Sequence, residues 1–289
     1  MRDLRDLNLN RVPPPAPPAA PPPVWPIVAA ALLVLLLIGL GIFGWYSRRA
    51  RSDQQTPAAP RAAAPANRSP TPPLGGPGED IELPPLGESD PLVRLLVGRL
   101  SSHPAVAAWL TTDGLIRNAT VVIQNVAAGG TPTRHLRHVS PQAGFAVRGE
   151  AGDTLVDPRS HQRYNWMADA VASIDAAGAA RLYSTLRPRV EEAYAELGST
   201  DAGFDATLER AVVVLLETPV VEGDVRLVPR GALYAYADPR LEALLPAQKQ
   251  LVRTGPRNTR LMQAKLREIA LALGLTEDRL PKETVVQAR

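Results

Sequence analysis

The sequence predicts a mainly α-helical domain with minor β hairpins, preceded by one N-terminal transmembrane helix. Three observations carry that expectation: an apolar run near the N-terminus, proline-rich stretches on both sides of it, and apolar residues recurring at helical spacing from about Asp80 onward. The chain has 289 residues, 30 of them proline, and no cysteine. The missing cysteine excludes a disulfide framework, Cys-ligated metal sites and a thiol nucleophile.

In chain order, residues 1–26 form a short tail that ends in the tract VPPPAPPAAPPPVWP. Proline removes backbone donors and biases this tract toward polyproline II. Its PxxP spacings suit an aromatic groove or, more simply, a spacer. Residues 27–46 read IVAAALLVLLLIGLGIFGWY, and no charged side chain occurs from Val12 to Ser47. At helical rise this run spans about 30 Å, the hydrocarbon thickness of a bilayer. Trp25, Trp45 and Tyr46 fall at the two headgroup levels. The run is too long for a signal-peptide core, and WYSRRAR follows it in place of a small-residue cleavage site, so it reads as an uncleaved anchor in the lipid bilayer.

Residues 47–79 read as a Pro/Ala-rich flexible linker, and Ser52 to Gly78 would reach roughly 80 Å if fully extended. Residues 80–280 read as the soluble helical domain and residues 281–289 as a C-terminal tail. Within the domain, Asp90-Pro91, Asp157-Pro158 and Asp238-Pro239 each precede an apolar-periodic run, and Asp at the N-cap followed by Pro at the first helical position opens a helix. Three sets of residues line helical faces: Leu182, Leu186, Val190, Ala193 and Leu197, ended by Gly198; Phe204, Leu208, Ala211 and Leu215; and Met262, Leu266, Ile269 and Leu273. Phe145 to Val156 and Val225 to Tyr236 break that period and read as small hairpins.

Charge is divided along the chain. Residues 1–78 carry 8 arginines against 3 aspartates, a net +5, whereas residues 79–289 carry 24 cations against 26 carboxylates, a net −2. The domain therefore lacks the electrostatic footprint of a nucleic-acid binder. Arg48, Arg49 and Arg51 after the apolar run, weighed against Arg2, Arg5 and Arg11 before it, place the domain in the cytoplasm by the positive-inside rule. The layout of short tail, single span, tether and domain instead matches bacterial envelope proteins that project outward, and long domains translocate largely regardless of flanking charge. The balance favours the periplasmic orientation.

Several ordered blocks resemble a bacterial family, the domain of unknown function numbered 3014. They are LPPLGESDPLVRLL (83–96), RHLR (134–137), EEAYAELG (191–198), LLETPV (215–220) and, most specifically, LEALLPAQKQLVRTGPRN (241–258) followed by LREIALALG. The resemblance covers residues 80–280. It implies an N-terminal anchor, a Pro/Ala linker and a helical domain in the bacterial envelope, and it implies no activity. Where the family pattern has proline at position 138 this chain has histidine, so the resemblance supports no role for His138.

Candidate sites are few. His135 and His138 have a spacing that could share a metal, but Arg134 and Arg137 beside them disfavour a divalent ion; a basic loop or an anion-binding patch fits better. In QKQLVRTGPRN, Thr254 or Gly255 caps a helix with Pro256 at its start, so Arg253, Arg257 and Asn258 could hold a carboxylate or phosphate. The competing partner is a carboxylate of the domain itself, such as Glu242 or Asp238. Glu191 and Glu192 are adjacent on a helix and diverge, which excludes a glycosidase pair. No GxSxG elbow and no phosphate loop occurs. Tyr183, Tyr194, Tyr234, Tyr236, Trp109 and Trp166 serve either the core or an exposed recognition platform.

The expectation is thus a single-pass inner-membrane protein without cofactor, catalytic set or metal. Its domain would bind an envelope protein or peptidoglycan. The alternatives are an envelope enzyme or anion/glycan binder using Arg253/Arg257 and His135/Arg137, and a membrane-tethered cytoplasmic adaptor.

Overall fold

The computed structural model describes residues 73–131, 140–149, 153–198, 203–231 and 233–288, all within the compact unit Pro70–Arg289. Its helices are α1 (Asp90–Gly98), α2 (Pro104–Trp109), α3 (Leu115–Ala127), α4 (Pro158–Gln162), α5 (Asn165–Ala172), α6 (Ala176–Glu196), α7 (Phe204–Leu216), α8 (Pro239–Glu242), α9 (Pro246–Val252) and α10 (Pro256–Ala272). The strands are β1 (Val147–Arg148), β2 (Thr154–Val156), β3 (Val220–Glu222), β4 (Arg226–Arg230), β5 (Leu233–Tyr236) and β6 (Val285–Gln287). The apolar run 27–46 lies outside the described residues, and among the described residues no helix is long and apolar enough to cross a membrane. The domain is mainly helical with small sheets.

All three Asp-Pro pairs stand at helix starts, and two of the aspartates cap their helices as their chemistry predicts. Asp157 accepts the Arg159 N–H at 2.8 Å at the start of α4, and Asp238 accepts the Arg240 N–H at 2.9 Å at the start of α8. Asp90 departs from the rule: Ser89 occupies the N-cap position of α1, and the Asp90 carboxylate reaches across to accept the N–H groups of Gly114 and Leu115 at 2.6 and 2.9 Å. It caps the N-terminus of α3, a helix that begins 25 residues later.

The apolar stripes meet as expected. Ala180 of α6, Val212 and Leu216 of α7, and Ala270 with Leu273 at the end of α10 form one cluster, with Tyr183, Leu208, Leu266 and Ile269 packed against it. A second cluster joins Val93, Leu96 and Ile116 to Leu186 and Ala193 of α6. Both ends of the domain extend past the 80–280 expected from the sequence. Leu74 is buried in the first cluster, and Glu79 N–H donates to the Thr185 hydroxyl at 2.8 Å. Gly78 lies so close to α6 that an added Cβ would come within 2.7 Å of the Thr185 nitrogen. At the other end, β6 pairs in parallel with β3, Val220 opposite Val285, so residues 285–287 belong to the fold and are no loose tail.

Both hairpins form. Val147 pairs with Val156 and Leu227 with Tyr236, each antiparallel. The pairing of Thr154 with Leu227 then fuses them into one four-stranded sheet in the order β1-β2-β4-β5. Val225, Leu241 and Val252 form a small core beneath this sheet, and that core fixes α8 and α9 beside β5.

Candidate functional site

A cleft of about 790 Å³ opens where the four-stranded sheet meets α4, α8 and α9. Val156, Val225, Leu227 and Val252 line it together with the rings of Phe145, Tyr164, Tyr234 and Tyr236. Its charged groups are Arg163, Arg230, Lys249 and Arg253 against the single carboxylate of Glu242. A recognition cleft needs such an apolar lining with a few polar groups converging on it.

Glu242 is fully used. Its carboxylate accepts the Tyr236 main-chain N–H at 3.2 Å, takes Lys249 Nζ at 3.1 Å, and lies 3.5 Å from Arg230 Nη1. The Tyr236 N–H and then Lys249 hold this carboxyl below the usual range. Arg163 is fixed without a carboxylate: Nε and Nη1 donate to the Ser160 and Ala143 carbonyls, each at 3.1 Å, and Nη2 to the Tyr164 hydroxyl at 3.1 Å. Its guanidinium carbon sits 4.8 Å from the Tyr164 ring centre and 5.8 Å from that of Phe145, within cation–π range. Phe145 continues to Tyr234 at 6.2 Å between ring centres.

Arg253 is the most available cation of the group. It is exposed, its Nη1 donates to the Gln250 side chain at 3.2 Å, and it lies against the Tyr236 hydroxyl. Among the described residues no carboxylate stands within ion-pair distance of either Arg253 or Arg163. Burial pushes the Tyr236 phenol up to about 12 against the opposing pull of Arg253, so the hydroxyl keeps its proton and remains a donor at neutral pH.

The residues singled out in the sequence part company here. Arg253 faces the cleft, but Arg257 points elsewhere and pairs with Asp169 at 2.9 Å, a carboxylate other than the expected Glu242 or Asp238. Asp238 instead pairs with Arg240 at 2.6 Å. Asn258 is 1% exposed; its Nδ2 donates to the main-chain oxygens of His161 and Thr254 and to Asn165 Oδ1, at 3.1, 2.9 and 2.9 Å. It joins α10 to α4 and α5 and is not open to a ligand. The predicted start of α10 is correct, with Gly255 at the N-cap and Pro256 at the first helical position, but His161 covers it: a Cβ on Gly255 would sit 2.5 Å from the His161 ring. Arg134, His135, Arg137 and His138 lie outside the described residues.

Glu191 and Glu192 diverge as helical geometry requires. Glu191 accepts the Phe204 N–H at the start of α7, at 3.0 and 3.3 Å, while Glu192 pairs with Arg189 at 2.7 Å. The aromatic stock divides as well: Tyr194 packs edge-on against Phe204 in the core at 5.4 Å, whereas Phe145 and Tyr234 are 46% and 43% exposed. Arg163, Arg230 and Lys249 carried no local signal, since each is an ordinary cation until the sheet and α9 bring them together.

Fold and cleft together define a mainly helical domain with a basic, aromatic recess at the edge of a small sheet. Residues 115–270, a little over half of the chain, match the model of the family described as Protein of unknown function (DUF3014), and the chain belongs to that family. The matched span contains every residue that lines the cleft. No curated protein and no solved structure matches the chain.

Proposed function

We propose that the chain is a single-pass protein of the bacterial inner membrane whose helical domain, held on the periplasmic side by the Pro/Ala tether, is a binding module for another envelope component. The observation that carries this reading is the charge of the cleft: four cations face one carboxylate, and Arg253 lacks a carboxylate partner among the described residues. Guanidinium groups in a partly desolvated, aromatic-walled recess favour a carboxylate or phosphate that supplies the missing charge. The apolar run 27–46 and the arginines after it support the anchor.

Two measurements test the reading. Titration of the full-length protein with short polyanions, an oligo-uronate and a polyglutamate, should show saturable binding that Arg253→Gln weakens about tenfold, the weight of a charge-assisted hydrogen bond. Equal binding by wild type and variant would overturn the role of the cleft. Reporter fusions after Arg68 and after Arg289 should be active only with a periplasmic reporter; activity of the cytoplasmic reporter would overturn the orientation.

A further inference from the structure

The cleft is lined by an edge strand, and the hydrogen-bond parity of that strand decides which of its backbone groups point away from the sheet. In an antiparallel pair, residues alternate between exchanging both backbone bonds with the neighbour and pointing both groups away. Ala237 N–H donates to the Arg226 carbonyl at 3.0 Å. With Leu227 opposite Tyr236 and Arg230 opposite Leu233, residues 233, 235 and 237 therefore point toward β4, and Tyr234 and Tyr236 point outward. Pro229 stands opposite Tyr234, at a position where its missing N–H costs the ladder nothing.

β5 is the last strand of its sheet. Of its two outward residues, Tyr236 has its N–H taken by Glu242 at 3.2 Å. The N–H and C=O of Tyr234 point away from β4, and among the described residues no strand pairs with them. All four residues of β5 line the cleft, as do Lys249, Gln250 and Arg253. An extended chain that enters here meets two backbone partners together with cations. It also meets apolar surface on Leu233, which is 75% exposed, and on the Phe145–Tyr234 ring pair.

We infer that the cleft receives an extended acidic peptide segment, which adds to the edge of β5 at Tyr234 and sets a carboxylate side chain on Arg253. Charge complementarity selects this occupant: the cleft's cations exceed its carboxylates by three, and a strand bearing acidic side chains supplies negative charge at several points together with backbone groups for Tyr234. Glu242 shows the pattern in cis, since its carboxylate already bridges a β5 N–H to Lys249. By holding Tyr236, it also ends the usable edge and sets the register of the incoming strand at one pair. The inference rests on the proposed anion-binding role of the cleft and goes further, in that it names the backbone as part of what is recognised.

The experiment is fluorescence polarisation of the full-length protein in mild detergent with a labelled octapeptide of alternating glutamate and valine. Companion probes are the same peptide N-methylated at alternate residues, a lysine–valine octapeptide, an oligo-uronate and inorganic phosphate. Saturable binding is expected to fall about tenfold with Arg253→Gln and roughly fivefold with N-methylation, the weight of one or two backbone hydrogen bonds. It should also decline with added salt. The remote surface variant Arg99→Gln, which removes the same charge outside the cleft, should leave it unchanged. Equal affinity for methylated and unmethylated peptides, or binding of the oligo-uronate or phosphate without the peptide, overturns the strand-addition proposal and leaves the anion-binding role standing. Binding of the lysine peptide as tight as that of the glutamate peptide, or no binding by any anionic probe, overturns both.

Discussion

The same residue types mean different things at the two ends of the domain. In the layer of α6, α7 and α10, most of the polar groups find partners within the chain, although Arg187 Nε, Arg189 Nε and Gln263 Oε1 are buried without one among the described residues. Asp205 accepts the Tyr183 hydroxyl, stands 3.5 Å from Arg187, and takes the Leu74 N–H at 3.2 Å. Gln263 Nε2 donates to the Leu215 and Thr218 carbonyls, each at 2.8 Å, and Tyr194 shares a hydrogen bond with Thr207 at 2.8 Å. Burial and the bond to Asp205 push the Tyr183 phenol well above its ordinary value. At the cleft, Tyr234 and Arg253 are left exposed, with one carboxylate among four cations. Buried polar groups are for the most part satisfied in cis, because an orphan costs more than the bond is worth. At the rim, water satisfies it until a ligand does, so arginine there is available for recognition.

That comparison can be broken at the seam between the two ends. Gly255→Ala should have the largest effect, about 3 kcal/mol of lost stability in urea unfolding, because the position has φ +86° and the added Cβ would meet the His161 ring. Asn258→Ala should cost about 2 kcal/mol, since it strands acceptors on α4 and α5 that Nδ2 now satisfies. Neither change touches Arg253, so any anion binding by the folded fraction should persist.

Surface arginines sharpen the contrast from the other side. Arg253→Ala should leave stability within about 0.5 kcal/mol of wild type and reduce anion affinity about tenfold. Arg257→Ala, which breaks an exposed pair with Asp169 and removes the Nη1 donor to Asn258 Oδ1 at 2.9 Å, should cost about 1 kcal/mol and leave anion affinity alone. Equal losses of affinity in the two variants would show that the division between them is wrong.

The smallest expected effect is a pH dependence centred on His161. Burial, and then Arg163, hold its pKa below the ordinary value, so the unfolded chain takes up the proton more readily than the folded one. Its contribution to stability is therefore complete above about pH 6.5 and declines as pH falls through that unfolded value toward the folded one. The urea midpoint should drop between pH 7.5 and pH 5.5, and the drop should shrink in Arg163→Gln. Asp157, held at about 2 by Arg159, does not titrate in that window; its contribution is lost only as pH falls from about 3.8 toward about 2.

Local physics is legible in the chain itself. The periodic stripes mark α6, α7 and α10, Asp-Pro marks the starts of α1, α4 and α8, and Gly255-Pro256 marks the start of α10, because caps and helical faces depend on neighbours within a few residues. Asp90 shows where that reasoning stops, since its carboxylate is claimed by Gly114 and Leu115, and no rule of spacing connects those positions. Each hairpin is readable alone, but the pairing of Thr154 with Leu227 that makes one sheet is not. Nor is the strand at 285–287, three residues whose only strand partner among the described residues is β3.

The sequence by itself determined the helical domain, its family, the apolar run ahead of it and the singling out of Arg253. Only the tertiary structure decided that Arg253 and Arg257 have different fates, that Asn258 is internal, and that Arg163, Arg230 and Lys249 share a cleft with the free edge of β5. The physical reason is range. Helix periodicity and capping act over one or two turns of chain, whereas the neutralisation of a charge or the filling of a strand edge depends on groups far apart in sequence that the packed core brings together.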